Sequence, residues 1–150
     1  MVVKLLFALL AAGIGAGLSV QASINTVVAR GLGTTLMAAT VSFTVGALIL
    51  LAASAVLGQF GGILANWRSL PLIYLVLGGM FGATFIFGSV FLIPRIGVAT
   101  LVVFVIAGQL TAAAIIDHYG LFGLTEQPIS LLRVAGIAIV ALGALVVWLA

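Results

Sequence analysis

The stretch Ile96–Ile116, IGVATLVVFVIAGQLTAAAII, carries no charged residue and lies between Arg95 and Asp117. About 20 apolar residues are enough to cross the hydrocarbon core of a bilayer as a helix. Membrane β-strands instead alternate apolar and polar residues over about 10 positions, and this stretch does not alternate. It therefore predicts a membrane-spanning helix over about 97–116.

The rest of the chain divides in the same way. Its other basic residues stand at the ends of long apolar segments: Lys4, Arg30, Arg68 and Arg133. Pro94 predicts a helix stop, because proline removes a backbone donor and clashes with the preceding turn. The polar, turn-rich stretch 117–128 predicts a loop. We expect one all-α transmembrane domain over 1–150, with spans at about 5–28, 34–57, 70–92, 97–116 and 131–149.

Composition agrees with a membrane protein. The chain is 65% hydrophobic and 5% charged, whereas a soluble domain carries about 25% charged residues. Its mean hydropathy is +1.53. The basic residues form no cluster that could neutralise phosphates, so we expect no nucleic-acid partner. With no cysteine, one histidine and two acids, the sequence suggests no metal site, no cofactor and no nucleophile–base pair of an enzyme.

The basic residues give only a weak orientation signal. Five spans place Lys4, Arg68 and Arg133 on one side of the membrane, and Arg30 and Arg95 on the other. Basic residues in short loops set orientation, and here the excess is a single residue. Two topologies stay open: one orientation with the N-terminus inside, or dual topology with copies inserted both ways and paired antiparallel. Transporters are often built from inverted repeats, and an unfused five-span unit reaches that symmetry only by pairing head to tail.

Three amides inside the spans are candidate substrate-binding residues: Gln21, Asn25 and Gln109. Gln21 and Asn25 lie one helical turn apart and continue the face of Gly13 and Gly17. Amides within spans either join helices by hydrogen bonds or contact a substrate, and both roles remain open here.

Glycines recur along the spans at spacings typical of helix contacts. Small residues let helix backbones approach closely in a membrane, and close approach to a substrate is the alternative role. The glycines expected to pack helices are Gly13, Gly17, Gly78, Gly82, Gly108, Gly136 and Gly143.

Asp117 and His118 are the titratable residues nearest to a span. Ionisable groups inside a membrane are costly and are usually functional. At the edge of the fourth span they have two possible roles. They either meet headgroups or form an inter-loop salt bridge, or Asp117 is a proton-linked or substrate-binding carboxylate that His118 tunes.

Other side chains at span ends predict anchors and caps. Trp67, beside Arg68, and Trp148 are typical of the aromatic belt at a membrane interface. Ser130 could cap the fifth helix. Arg95 is either a positive turn anchor or a cation at the mouth of a cavity, which would favour anionic or zwitterionic cargo.

Many of these residues form part of one pattern that extends along the chain. Its members are Gln21 with Asn25, Ser42-Phe43 with Gly46, Trp67 with Gly78-Gly79 and Gly82, Pro94–Gly97, Gly108–Leu110, and Asp117–Gly123 followed by Pro128. Over nearly its whole length the chain resembles the YdcZ-type family of small bacterial inner-membrane proteins, in the drug/metabolite transporter superfamily. The resemblance implies a multi-pass inner-membrane protein whose five helices form one half of a ten-helix inverted-repeat transporter. It also implies members found with dual topology, as oppositely oriented pairs and as fusions.

We therefore expect a secondary-transporter protomer for small metabolites or drug-like organic solutes. It would work in the lipid bilayer by alternating access, as an antiparallel homodimer. The alternative is a non-transporting membrane subunit or a partner of another transporter half. The related small multidrug resistance transporters carry a carboxylate in their first helix, whereas this chain has the neutral Gln21 and Asn25. Their mechanism therefore does not carry over, and the resemblance names no cargo.

Overall fold

The computed structural model describes residues 2–62, 68 and 71–150. These described residues contain five helices long and apolar enough to cross a membrane, which confirms the predicted all-α membrane fold. The helices are α1 (Val2–Leu32), α2 (Thr35–Val56), α3 (Leu72–Ile96), α4 (Val98–Tyr119) and α5 (Leu131–Leu149). Trp67, predicted as an anchor, and residue 70, the expected start of the third span, lie outside the described residues.

The chain forms two compact units, one ending at Arg95 and the other running from Ile96 to Ala150. In the first unit α1 packs against α2, which contributes the buried Ala38 and Ala39 near its start. Small side chains there let the two helix backbones approach closely. The single domain expected over 1–150 stays a prediction.

The second unit is a pair of packed helices, α4 and α5. Leu101 and Ala114 of α4 and Ala144 of α5 are its buried residues. Phe104 meets Trp148 edge to face, with ring centroids 6.5 Å apart. This contact fixes one face of Trp148, while more than half of its surface stays exposed, as suits a residue at a membrane interface.

The predicted helix stop at Pro94 is wrong, because α3 runs through Pro94 to Ile96. A proline this close to a helix end removes only the bond to the Val90 carbonyl, and Val90 and Ile93 in that turn are both buried. The helix ends instead at Gly97, whose φ of 79° and ψ of 162° suit glycine and are rarely adopted by other residues.

The predicted loop at 117–128 is wrong for its first three residues, because α4 continues through Asp117 and His118 to Tyr119. Polar residues do not by themselves end a helix, and a last turn can extend beyond the apolar core into the headgroup region. The helix ends at Gly120, which takes the left-handed conformation common after a helix end.

The connection from α4 to α5 begins with a short 3₁₀ turn at Leu121–Gly123 and leads to Ser130. The Ser130 hydroxyl accepts a hydrogen bond from the backbone N–H of Arg133 at 3.2 Å. This contact confirms Ser130 as the N-cap of α5, where it satisfies one of the free donors of the first turn.

Candidate functional site

Asn25 lies two turns before the end of α1, and only 6% of it is exposed. Its side-chain Nδ2 donates a hydrogen bond to the Oγ of Ser42 on α2, at 3.1 Å. Because α1 continues to Leu32, Asn25 belongs to the helix interior and not to its end. Its amide therefore joins α1 to α2 by a hydrogen bond.

Gln21 lies one turn earlier on α1 and is half-buried. It shares with Asn25 a narrow crevice between α1 and α3, to which Phe85 and Ser89 contribute from the α3 side. Among the described residues the Gln21 amide has no hydrogen-bond partner. The crevice has a volume of about 10 Å³, room for about one water molecule. In this conformation it is closed to any organic solute.

Gln109 belongs to the other unit, at the midpoint of α4, and its side chain is exposed. Within the described part of the chain it has no hydrogen-bond partner. An amide left exposed at the centre of a membrane-crossing helix lacks both water and a protein partner, which is costly in hydrocarbon. The structure thus brings Gln21 and Asn25 together within the first unit, whereas Gln109 belongs to the second.

Asp117 forms an ion pair with Arg133, with 2.8 Å between Oδ2 and the guanidinium Nη2. Asp117 lies in the last turn of α4 and Arg133 in the first turn of α5. A carboxylate at a helix C-terminus and a guanidinium at a helix N-terminus both oppose the helix dipole. Their pairing offsets both unfavourable positions, and it is the inter-loop salt bridge that the sequence offered as one possibility.

The connection between α4 and α5 is tied to the same turn. The backbone carbonyl of Asp117 accepts a hydrogen bond from the N–H of Gln127 at 2.7 Å. The Nδ1 of His118 accepts one from the N–H of Ile129 at 3.3 Å. A histidine whose Nδ1 accepts a bond is held as the tautomer with its proton on Nε2, so protonating Nδ1 would break this contact.

Of the glycines expected to pack helices, Gly82 shows a close contact within the chain. A Cβ at Gly82 would lie 3.2 Å from the Cζ of Phe43, so this glycine lets α3 approach α2. The other six have no such neighbour within 4 Å among the described residues: Gly13, Gly17, Gly78, Gly108, Gly136 and Gly143.

A larger cavity, of about 270 Å³, lies at the end of the first unit where α1 turns into α2. Arg30 and Arg95 both line it, together with Thr26, Thr34 and Thr35. The sequence predicts both arginines at span ends, and it offers a cation at the mouth of a cavity as the alternative role of Arg95. It gave no prediction for the threonines. The Gly-Thr-Thr run after α1 was the available signal, since threonine after a glycine turn is typical of a helix start.

The described part of the chain contains no group of three or more His, Asp or Glu residues that could hold a metal ion. The family described as "Putative inner membrane exporter, YdcZ", of the drug/metabolite transporter group, matches residues 6–146. The chain belongs to the YdcZ family.

Membership confirms the resemblance drawn from the sequence, and it agrees with the five apolar helices. This YdcZ-family chain is a multi-pass protein of the inner membrane. The family's description supports a transport role rather than an enzymatic one. The comparison with curated proteins and the comparison with solved structures found no match.

Proposed function

We propose that this YdcZ-family chain is one protomer of an antiparallel homodimer that exports small organic solutes by alternating access. The second half of the transporter would be another copy of the chain, inserted upside down. Five helices per copy would then supply the ten helices of an inverted-repeat transporter. The export direction follows the family's description.

The exposed amide of Gln109 carries this proposal. A Gln at the centre of a membrane span has a strong preference for a protein or substrate partner over lipid. The described residues of the same chain offer it none. A second copy could enclose a shared cavity lined by Gln21, Asn25 and Gln109 from both protomers, in which the bound substrate is the partner of this amide.

Further support comes from helix surfaces that remain open. The described side chains of α1 between Val2 and Leu18 are exposed, and Gly13 and Gly17 present a smooth stripe on this half of the helix. Glycine stripes allow close helix approach, as expected where a second protomer packs.

The closed crevice at Gln21 supports an alternating-access mechanism, in which the protein changes between closed and open conformations. A crevice of about 10 Å³ must widen before a metabolite or a drug-like solute can enter it. In an antiparallel pair, one protomer could open this crevice to one side of the membrane while its partner opens to the other.

If transport is coupled to protons, Asp117 and His118 are the residues that would bind and release them. The ion pair to Arg133 and the bond from Ile129 give both residues a structural role as well. A proton-linked cycle through Asp117 would therefore have to break the ion pair at each turnover.

Topology mapping tests the antiparallel arrangement. A C-terminal reporter that is active in the cytoplasm is compared with one active in the periplasm, in cells producing the full chain. We expect both reporters to be active. Arg30→Gln should shift the population towards the N-terminus inside and Lys4→Gln towards the N-terminus outside, because each changes a three-to-two balance of basic residues.

A single orientation that neither substitution alters would exclude the antiparallel homodimer. It would leave the alternative function, a membrane subunit that partners another transporter half. Such a subunit should also show no transport when it is purified and reconstituted alone.

A further inference from the structure

The cavity of about 270 Å³ at the end of the first unit contains two arginines. Arg30 comes from the last turn of α1 and Arg95 from the last turn of α3. Among the other lining residues, Thr26 and Val90 are buried, with 4% and 1% of their surfaces exposed. Arg30 and Arg95 are both exposed, so the cavity is an open pocket that combines a packed wall with two cationic side chains.

The charge of these arginines is not balanced within their unit. The two acidic residues of the chain, Asp117 and Glu126, both lie beyond Arg95 in the sequence and belong to the second unit. Within the described residues Arg30 has no hydrogen bond or ion pair. Arg95 donates to the backbone carbonyl of Phe91 and lies over its ring, which holds the guanidinium in place and leaves other N–H groups free.

The start of α2 adds further donors to the cavity. Gly33, with φ of 71°, turns the chain so that Thr34 and Thr35 line the same space as Arg30. Thr34 is the N-cap residue, yet its side chain makes no capping hydrogen bond. The first helical bond of α2 runs from the N–H of Ala38 to the carbonyl of Thr34, so the preceding backbone N–H groups have no partner within the helix.

We propose that this cavity is an oxyanion site that binds a phosphate group, carried either by a small organic solute or by an anionic lipid headgroup. Guanidinium groups match phosphate oxygens in shape and charge, and a helix N-terminus adds aligned N–H donors. The volume is just below the range of about 300–1,000 Å³ typical of pockets for drug-sized ligands. It therefore suits a headgroup or a small phosphate ester.

This site is distinct from the crevice at Gln21. Thr26 and Val90 line the cavity, whereas their chain neighbours Asn25 and Ser89 line the crevice. The oxyanion site requires neither transport nor dimerisation, so its test does not depend on the proposed function.

The first arm of the test uses inorganic phosphate and the purified full chain in a nonionic detergent, where membrane orientation plays no part. Binding is measured by calorimetric titration. We expect Arg30→Gln and Arg95→Gln each to weaken phosphate binding at least tenfold, because each removes a charged donor from the cavity. Arg30→Lys and Arg95→Lys keep the charge and should retain part of the affinity, which guards against loss through misfolding.

Arg68→Gln is the matched control, since it removes the same charge from a residue that does not line the cavity. We expect it to leave phosphate affinity unchanged. An equal loss in Arg68→Gln and Arg30→Gln would overturn the proposal, because the binding would then reflect net charge alone.

The second arm distinguishes the two sources of phosphate. The chain is placed in nanodiscs of phosphatidylcholine with or without phosphatidylglycerol, and retained lipid is counted by native mass spectrometry. Phosphatidylglycerol that is retained through Arg30 and Arg95, and that competes with phosphate, identifies a lipid site. Phosphate binding that persists in phosphatidylglycerol nanodiscs identifies a solute site. Failure of both ligands to bind, or binding unaffected by Arg30→Gln and Arg95→Gln, would exclude the oxyanion site.

Discussion

Asn25 on α1 donates a hydrogen bond from Nδ2 to the Oγ of Ser42 on α2, at 3.1 Å. Inside a membrane such interhelical bonds contribute about 0.6 kcal/mol on average and up to about 1.7 kcal/mol. Asn25→Leu removes the bond and leaves the Ser42 hydroxyl without this partner. We expect the free energy of unfolding to fall by about 1 kcal/mol, measured by SDS titration of the purified chain.

Two further variants separate this bond from other effects of the substitution. Ser42→Ala removes the bond from the other side, so the double variant should cost little more than either single variant. Gln21→Leu, one turn away, removes an amide that has no partner among the described residues, and it should leave stability unchanged. Fully additive losses in the double variant would show that the two side chains do not stabilise each other.

Gly82 and Phe43 determine how closely α3 approaches α2. A Cβ at position 82 would lie 3.2 Å from the Cζ of Phe43, closer than ordinary contact. Gly82→Val adds a branched side chain that must displace the ring, and overpacking of this kind costs about 1–3 kcal/mol. The loss should appear as a lower SDS concentration at the midpoint of unfolding.

Gly78→Val is the control for this change, because it lies one turn earlier on α3 and has no neighbour within 4 Å among the described residues. It should cost much less than Gly82→Val. Adding Phe43→Ala to Gly82→Val should recover part of the lost stability by making room for the valine. If Gly78→Val costs as much, or Phe43→Ala brings no recovery, the contact between α2 and α3 is not the cause.

The ends of the spans show what the sequence can and cannot specify. Charged residues separate the apolar segments, so the number of helices follows from the order of charged and apolar residues along the chain. Helix ends depend on backbone conformation, which polarity does not reveal. Pro94 looked like a stop but costs only one hydrogen bond in a last turn, whereas Gly97 ends the helix through its positive φ. The polar residue Asp117 predicts the start of a loop, but α4 continues through it to Tyr119 and ends only at Gly120, which takes the left-handed conformation.

One candidate site could be predicted from the sequence, and the other could not. Gln21 and Asn25 could be placed on one face from their spacing, because four residues make about one helical turn. Arg30 and Arg95 are far apart in the chain, and only the packing of α1, α2 and α3 brings them to one cavity. Sequence periodicity describes the face of a single helix and carries no information on which faces of different helices meet.

The ion pair between Asp117 and Arg133 can be tested by exchanging its two charges. With 29% and 38% of the side chains exposed, the pair is partly screened, so Asp117→Asn should cost at most about 1 kcal/mol. Asp117→Arg combined with Arg133→Asp restores the pair. It also places each charge at the helix end that the dipole favours. We expect the exchanged chain to be at least as stable as the wild type in SDS titration.

The exchange moves the carboxylate from α4 to α5. It leaves the number of basic residues on each side of the membrane unchanged, so the charge balance that sets orientation is kept. Either Asp117→Arg or Arg133→Asp alone should destabilise the chain more than Asp117→Asn does, since each places like charges together. An exchanged chain no more stable than these single variants would rule out the ion pair as the stabilising contact.

Gln21 and Gln109 should both be needed for transport. Each presents an amide without a hydrogen-bond partner among the described residues, as a substrate-binding group requires. Gln21→Leu and Gln109→Leu should each abolish counterflow in proteoliposomes of a solute that the wild-type chain accumulates. The dimer, followed by native mass spectrometry, should survive. Gln59→Leu, in the turn after α2, is the matched control and should transport normally. Transport that persists in both Gln21→Leu and Gln109→Leu would show that these amides do not form the substrate site, even where the antiparallel dimer is intact.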